Sequence, residues 1–286
     1  MPLKNASRQV ITVALMSRRS GLIVIQTQQR RTSMTAKANA IDLYMRGIRD
    51  GKPQEALDRN IGAQYKQHST GVADGKEGFM AFFGPFLERN PKRDMQVVRA
   101  LQDGRKVFVH VYQNLNDGAA QWVTTDFFDS DENGKIIEHW DVIGEHCINP
   151  AGHSNIDGET DITDLDKTAA NKAAVAEFVQ NCLINQNNAQ LLDYIDADQF
   201  VSHHPLAATG LKGYQDALTQ SQLKYDTIEL MVGEGNFVAI LSRASANGTP
   251  QCQCDVFRLA DGKIVEHWAN AEPVPPESEW ANSGKF

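Results

Sequence analysis

Gly134-Lys135-Ile136-Ile137-Glu138-His139-Trp140 recurs in this chain as Gly262-Lys263-Ile264-Val265-Glu266-His267-Trp268, with a single Ile-to-Val difference. Working outward from that pair, further matches appear in the same order. Gln64-Tyr65 pairs with Gln199-Phe200, and His68 with His203. Gly75 pairs with Gly210, Gly78 with Gly213 and Phe79 with Tyr214. Asp42-Leu43 pairs with Glu177-Phe178, and none of these upstream matches needs a gap. A long-period repeat of this kind is the signature of a duplicated structural unit.

Both copies follow one grammar. Periodic apolar spacing predicts helices over residues 39–49 and 169–184, then shorter ones over 53–60 and 189–195. A short strand ending in histidine follows (64–68; 199–204), and a glycine-bearing loop leads into a third helix (76–88; 211–221). Strands are expected over 95–101, 107–114, 122–129 and 135–143, and again over 227–233, 237–244, 251–259 and 263–269. Helices first and an antiparallel meander after describe two α+β domains, over residues 38–145 and 169–272. Residues 146–168, rich in Asn, Asp, Gly and Thr, read as a linker. Residues 273–286, opened by Pro273, Pro275 and Pro276, read as a C-terminal arm packed on a domain through Trp280.

Tyr65-x-Gln67-His68, Asp74-Gly75, Gly78-Phe79 and the run from Asp126 to Gly134-Lys135-Ile136-Ile137-Glu138-His139-Trp140-Asp141 resemble the SnoaL-like group of polyketide cyclases, within the nuclear transport factor 2-like superfamily. The resemblance covers about residues 38–145 and 170–272. It implies two cone-shaped α+β barrel domains, each with helices packed on a strongly curved antiparallel sheet around a pocket. It also implies sheet-to-sheet dimers, so that the two copies form an intramolecular pseudo-dimer, with a further homodimer as an open option. The superfamily holds cyclases, isomerases, dehydratases and non-catalytic binding domains, so the fold leaves the reaction open.

Strand alternation brings the chemistry of the first copy together. Ile137, His139 and Asp141 point one way, and Glu138, Trp140 and Val142 the other. Asn133-Gly134 is a two-residue hairpin signal; with that turn, Asp126 lies opposite Asp141 and Phe128 opposite His139. Two carboxyl groups facing each other resist double ionisation, so one of them should titrate high and suit acid/base work near neutrality. The resemblance implies an aspartate acid/base for an intramolecular aldol condensation without metal or cofactor. It places that role on Asp141, with His139 and Asp126 assisting. The competing reading of Asp141 is an ion pair with a nearby Lys or Arg. His110 is expected in the same cavity, with Phe108 and Tyr112 beside it. Tyr65, Gln67 and His68 either line the cavity mouth or, for His68, cap the adjoining loop. Trp122 and Trp140 are assigned to packing.

The second copy departs from this pattern. Ala269 stands where Asp141 stands in the first, so the proton-transfer group is missing there. His203 and His267 remain as binding candidates, joined by Asp255 if the turn at Ala260-Asp261-Gly262 has three residues; a two-residue turn would face Asp255 away. Adjacent His203 and His204 diverge on a strand and do not suggest metal.

Composition narrows the rest. The formal net charge is −8, which disfavours broad binding to nucleic acid or anionic membranes. Seven of the 28 Lys and Arg residues, and none of the 36 Asp and Glu residues, fall within positions 1–41. The apolar runs at 10–16 and 21–25 are too short to span a bilayer. The basic start reads either as an upstream extension of a cytoplasmic protein or as a mitochondrial transit segment. Four cysteines without a zinc-type spacing read as free thiols, with Cys252 and Cys254 sharing one strand face. No phosphate loop, dinucleotide fingerprint or serine nucleophile elbow is present. These observations leave three readings: a cofactor-free cyclase, isomerase or lyase acting on a small hydrophobic carbonyl compound, a small-ligand binder, or an interaction scaffold.

Overall fold

The computed structural model describes residues 35–286, so the basic segment 1–34 lies outside the described residues. Each copy folds as helices laid on a five-stranded sheet, and the chain is a tandem of two α+β domains. In the first, α1 (Ala36–Asp42) continues into a π-helical stretch, Leu43–Arg49, and is followed by α2 (Pro53–Asn60). The Thr35 side chain caps α1 by accepting from the Ala38 amide at 3.2 Å. Pro53 opens α2, where its missing N–H costs nothing. Next come β1 (Ile61–Gln67), α3 (Gly75–Arg89), β2 (Arg93–Asp103), β3 (Lys106–Leu115), β4 (Ala120–Ser130) and β5 (Ile136–Glu145).

The second domain repeats this with α4 (Thr168–Phe178), α5 (Leu191–Tyr194), β6 (Val201–Ser202), α6 (Gly210–Ser221), β7 (Leu223–Glu234), β8 (Phe237–Ala246), β9 (Thr249–Ala260) and β10 (Lys263–Pro273). The sheet orders are β1-β5-β4-β3-β2 and β6-β10-β9-β8-β7. Four strands of each form the expected antiparallel meander; β1 and β6 instead add in parallel to β5 and β10.

The matched glycines have a concrete cause. A Cβ on Gly78 would lie 1.9 Å from the Ala73 carbonyl oxygen, and one on Gly213 would lie 2.1 Å from that of Ala208. Only glycine allows the loop to turn so tightly into α3 and α6.

The first hairpin turn differs from expectation and the second takes the two-residue form, and in both a bulge sets the register. In the first, Ser130 pairs with Ile136 across a longer loop, and a bulge at Asp129/Ser130 restores the pairing of Asp126 with Asp141 and Phe128 with His139. In the second, Asp261 and Gly262 form a two-residue turn with φ of 49° and 77°, the positive values that a type I′ turn needs. A bulge between Ile264 and Glu266 then resets the parity, so that Phe257 faces His267 and Asp255 faces Ala269. Asp255 therefore shares a face with His267 although the turn has two residues.

Among the described residues, three apolar clusters hold the fold. One fills the first cone, with Leu43, Tyr44, Tyr65, Phe79, Val109 and Phe128 among its members. A second fills the other cone around Phe178, Tyr214, Tyr225 and Phe257. The third lies where the outer faces of the two sheets meet; it includes Phe108, Phe127, Trp140, Val142, Phe237, Cys252, Cys254 and Trp268. Asn270 stitches this seam by donating from Nδ2 to the carbonyls of Val123 (3.0 Å) and Val142 (2.8 Å). Among the described residues, no helix is long and apolar enough to cross a membrane.

Candidate functional site

Asp126, His139 and Asp141 converge on the inner face of the first sheet, because β4 and β5 pair Asp126 with Asp141 and Phe128 with His139. Asp126 is fully buried. Its Oδ1 accepts from the Tyr44 hydroxyl at 2.6 Å and lies 2.9 Å from His139 Nε2. Its Oδ2 is buried with no hydrogen-bond partner among the described residues. His139 Nδ1 lies 2.8 Å from Gln67 Oε1, an acceptor, so that nitrogen carries a hydrogen and a single proton is left to share between Nε2 and Asp126. Gln67 sits beside His139 because β1 pairs with β5 at that step. The Tyr65 ring lies parallel to the His139 imidazole at 6.5 Å, and the Phe128 ring stacks on it at 4.7 Å.

The carboxyl pair splits as two like charges in one hollow should. Burial pushes Asp126 up; the hydrogen bond and charge of His139 pull against this, the charge of Asp141 adds to it, and the net direction is upward. Burial also pushes Asp141 up, but the Lys285 ammonium, helped by His139 and Ser69, outweighs it and holds Asp141 below its ordinary value. Lys285 Nζ is 2.9 Å from Asp141 Oδ1 and also contacts Glu272. The ion pair named as the competing reading of Asp141 is thus present, with a partner from the C-terminal arm.

The two aspartates act oppositely on stability. Folding depresses the Asp141 value, so its contribution is complete above the unfolded carboxylate value of about 3.9 and disappears as pH falls through the folded one. Asp126 has a raised folded value, so its contribution is complete below the unfolded value and is lost as pH rises through the folded one. Urea unfolding between about pH 4 and pH 7 should show a smaller loss of stability in Asp126→Asn than in the unaltered chain. Parallel declines in the two proteins would rule out Asp126 as the source.

The second domain has a similar constellation with its free valence closed. Asp255 Oδ1 lies 2.8 Å from His267 Nε2 and accepts from Gln253 Nε2 at 3.2 Å, while Oδ2 accepts from the Tyr225 hydroxyl at 2.9 Å. Ser202 stands where Gln67 stands in the first domain, its Oγ 3.5 Å from His267 Nδ1.

Four sequence-nominated residues fall elsewhere. His110 pairs with Thr125, so it sits on the outer face with Phe108, not in the cone beside Asp126. There Arg99 Nη1 lies 3.3 Å from His110 Nδ1, and burial together with the Arg99 charge pushes the imidazole well below its ordinary value. Tyr112 shares that outer face and donates to Gln121 Oε1 at 2.6 Å. His68 and His203 also face outward. His68 stacks on Trp140 at 4.6 Å, its ring nitrogens facing Glu138 Oε1 (2.9 Å) and the Gly284 carbonyl (2.7 Å). His203 stacks on Trp268 at 4.9 Å, facing Glu266 Oε1 (2.9 Å) and the Ser154 carbonyl (2.7 Å). The arm docks through Ala281, Asn282, Gly284 and Lys285, while Trp280 folds back on Gly284 within the arm itself. Sequence reasoning missed Tyr44, Tyr225 and Lys285, none of which belongs to the repeat.

Two hollows among the described residues bear on the site. A void of about 10 Å³ between the sheets is bordered by His110, Thr125, Asn155, Cys254 and Ala269, among others. A groove of about 570 Å³ runs between β1 and the start of α3. Neither opens directly onto Asp126, but Tyr65, which stacks over His139, borders the groove. Among the described residues, no three His, Cys, Asp or Glu side chains are placed to hold a metal ion.

Residues 42–139 match the family model of the SnoaL-like domain. No curated protein matches the chain. Among solved structures, IdmH, a candidate polyketide cyclase from Streptomyces antibioticus, is 18% identical over 36% of this chain and 91% of its own, at a TM-score of 0.31. A nuclear transport factor 2-like protein of unknown function from Cytophaga hutchinsonii is 21% identical over 40% and 95%, at 0.32. A candidate polyketide cyclase from Bacillus cereus is 19% identical over 38% and 71%, at 0.33.

Proposed function

We propose that the first domain, whose residues 42–139 match the family model of the SnoaL-like domain, carries out cofactor-independent acid/base chemistry on a small hydrophobic carbonyl compound. The reaction class is aldol-type cyclisation, isomerisation or dehydration, each of which needs a proton taken from carbon beside a carbonyl and returned to oxygen or carbon. Asp126 is the group that handles it. Its Oδ2 takes the carbon-bound proton while the proton shared between Oδ1 and Nε2 settles on His139. Reversing both transfers returns the proton to the product. Gln67 fixes the His139 tautomer, and burial, with the negative charge of Asp141 adding to it, keeps Asp126 basic. Asp141, held by Lys285, is a weak base and serves as that charge, a different role from the one first assigned to it.

One observation carries the reading. Asp126 Oδ2 is a buried carboxylate oxygen without a donor, whereas both oxygens of its counterpart Asp255 are occupied. An unpartnered buried acceptor costs on the order of 1–3 kcal/mol, a cost that a substrate proton would relieve. The second domain then acts as the sheet-to-sheet partner, supported by the core it shares with the first.

Exchange of α-protons in D₂O, followed by ¹H NMR across a panel of small β-diketones and hydroxyketones, tests this directly. The unaltered chain should catalyse exchange on at least one compound, and Asp126→Asn should lower that rate by about 10²–10⁴-fold while staying folded by circular dichroism. Equal rates would remove Asp126 from the chemistry. An interaction scaffold is the second reading, favoured by the filling of both cones with side chains, Tyr44, Tyr65 and Phe128 in the first and Phe178, Tyr214 and Phe257 in the second. It expects neither small-ligand binding nor exchange in either protein.

A further inference from the structure

Each domain captures the segment that follows the other. The linker after β5 is gripped by the second domain, where the Ser154 carbonyl meets His203, which is stacked on Trp268 and bonded to Glu266. The arm after β10 is gripped by the first, where the Gly284 carbonyl meets His68, which is stacked on Trp140 and bonded to Glu138. Asparagines reinforce both grips: Asn149 Nδ2 donates to Ser202 O at 2.8 Å, and Asn282 Nδ2 to Ser69 O at 2.6 Å.

The residue after each gripped carbonyl differs between the two segments. After Gly284 comes Lys285, whose ammonium bridges Asp141 of the first domain and Glu272 of its own parent strand. After Ser154 comes Asn155, which borders the same small void as Ala269, the counterpart of Asp141, and donates from Nδ2 to Glu145 O on its own parent strand. Where the site has a carboxylate, the incoming segment brings a cation; where the site has alanine, it brings a neutral amide. Lys285 is 1% exposed, a burial that long ammonium side chains tolerate only with a partner.

We propose that Lys285 is a positioning residue of the first-domain site, carried there by the C-terminal arm to pin Asp141 as the fixed negative neighbour of Asp126. The proposal rests on the acid/base role given to Asp126 above. Asp141 is faced by Asp126 from β4, His139 from β5, Tyr44 from the π-helical stretch, Tyr65 from β1, Ser69 from the loop after β1, and Lys285 from the arm. Beyond Lys285 lie Glu272 of β10 and, from β9, Cys252. Without the ammonium, the carboxyl groups would compete for protons, and Asp126 would no longer be the one set apart.

Carboxyl ¹³C NMR titration of the full chain reads this without any substrate, with Asp126→Asn and Asp141→Asn assigning the two resonances. Lys285→Met should raise the Asp141 midpoint by about 1–3 pH units, and Lys285→Arg should restore it. The pH profile of α-proton exchange should move in Lys285→Met and return in Lys285→Arg. If Lys285→Met does not fold, Glu272→Gln keeps the lysine and removes its second carboxylate, and the Asp141 midpoint should then fall. An unmoved Asp141 midpoint in the folded Lys285→Met protein, or in Glu272→Gln, overturns the proposal. A moved midpoint alongside full exchange activity in Asp126→Asn would keep the Lys285–Asp141 coupling and discard the acid/base reading.

Discussion

Trp268→Ala should cost about 3–5 kcal/mol of unfolding free energy, the range for removing a large aromatic side chain from a packed core. Trp268 is 2% exposed and sits at the seam between the sheets, packed with Phe237 and stacked on His203. Its indole nitrogen donates to the Asp157 carbonyl at 2.8 Å, and the Arg99 guanidinium lies 3.9 Å from its ring centroid. Arg99 is itself buried, donating to the carbonyls of Asp157 at 2.6 Å and Glu159 at 2.8 Å. Burial draws its pKa down to about 10. Removing the ring therefore opens a cavity, frees the linker and strips a buried cation of its aromatic face. Chemical denaturation with fluorescence and circular dichroism monitored together checks this. A loss under about 1 kcal/mol would mean the seam collapses to fill the space.

Gly158→Ala should be the next most damaging change, at about 2–4 kcal/mol from strain and overpacking combined. Gly158 has φ of +91°, where an L side chain is strained. A Cβ there would lie 2.1 Å from Glu266 Oε1, 2.8 Å from Trp268 Cζ2 and 2.9 Å from His203 Nε2. Glu266 also accepts from Arg258 Nε at 2.8 Å, so it cannot yield without breaking a second contact. Thermal unfolding would show the effect, and an unchanged midpoint would mean that the linker can lift away from the second domain at little cost.

The repeat was legible in sequence because its matches fall where backbone geometry leaves little choice. Gly78 and Gly213 repeat since each lies against a carbonyl oxygen that excludes any side chain. The convergence of Asp126, His139 and Asp141 was legible through alternation along paired strands, although the bulges that restored the register were not. His110 was misplaced for a definite reason. Its face depends on the β3–β4 loop, where Asn116, Asp117 and Gly118 all take positive φ and Leu115 pairs with Ala120. A loop of different length would have reversed the parity. His68 was within reach of the same rule, since it follows inward-facing Gln67 by one residue.

Tyr44 and Tyr225 show the limit of reading one copy from the other. Both donate to the equivalent aspartates, but one comes from the helix that opens the first domain and the other from β7. Lys285 lies 144 residues from Asp141 in sequence, with no period or motif to join them. Only the path of the arm after its prolines brings them together.

The crossed anchoring of the two tails makes the halves hard to part. A single backbone break between the gripped Ser154 and the start of α4 would not release either one: the first half would keep its own tail lodged beside His203, and the second would keep its own beside His68. Two copies of one architecture here make a latch with two bolts, and drawing one bolt leaves the other engaged.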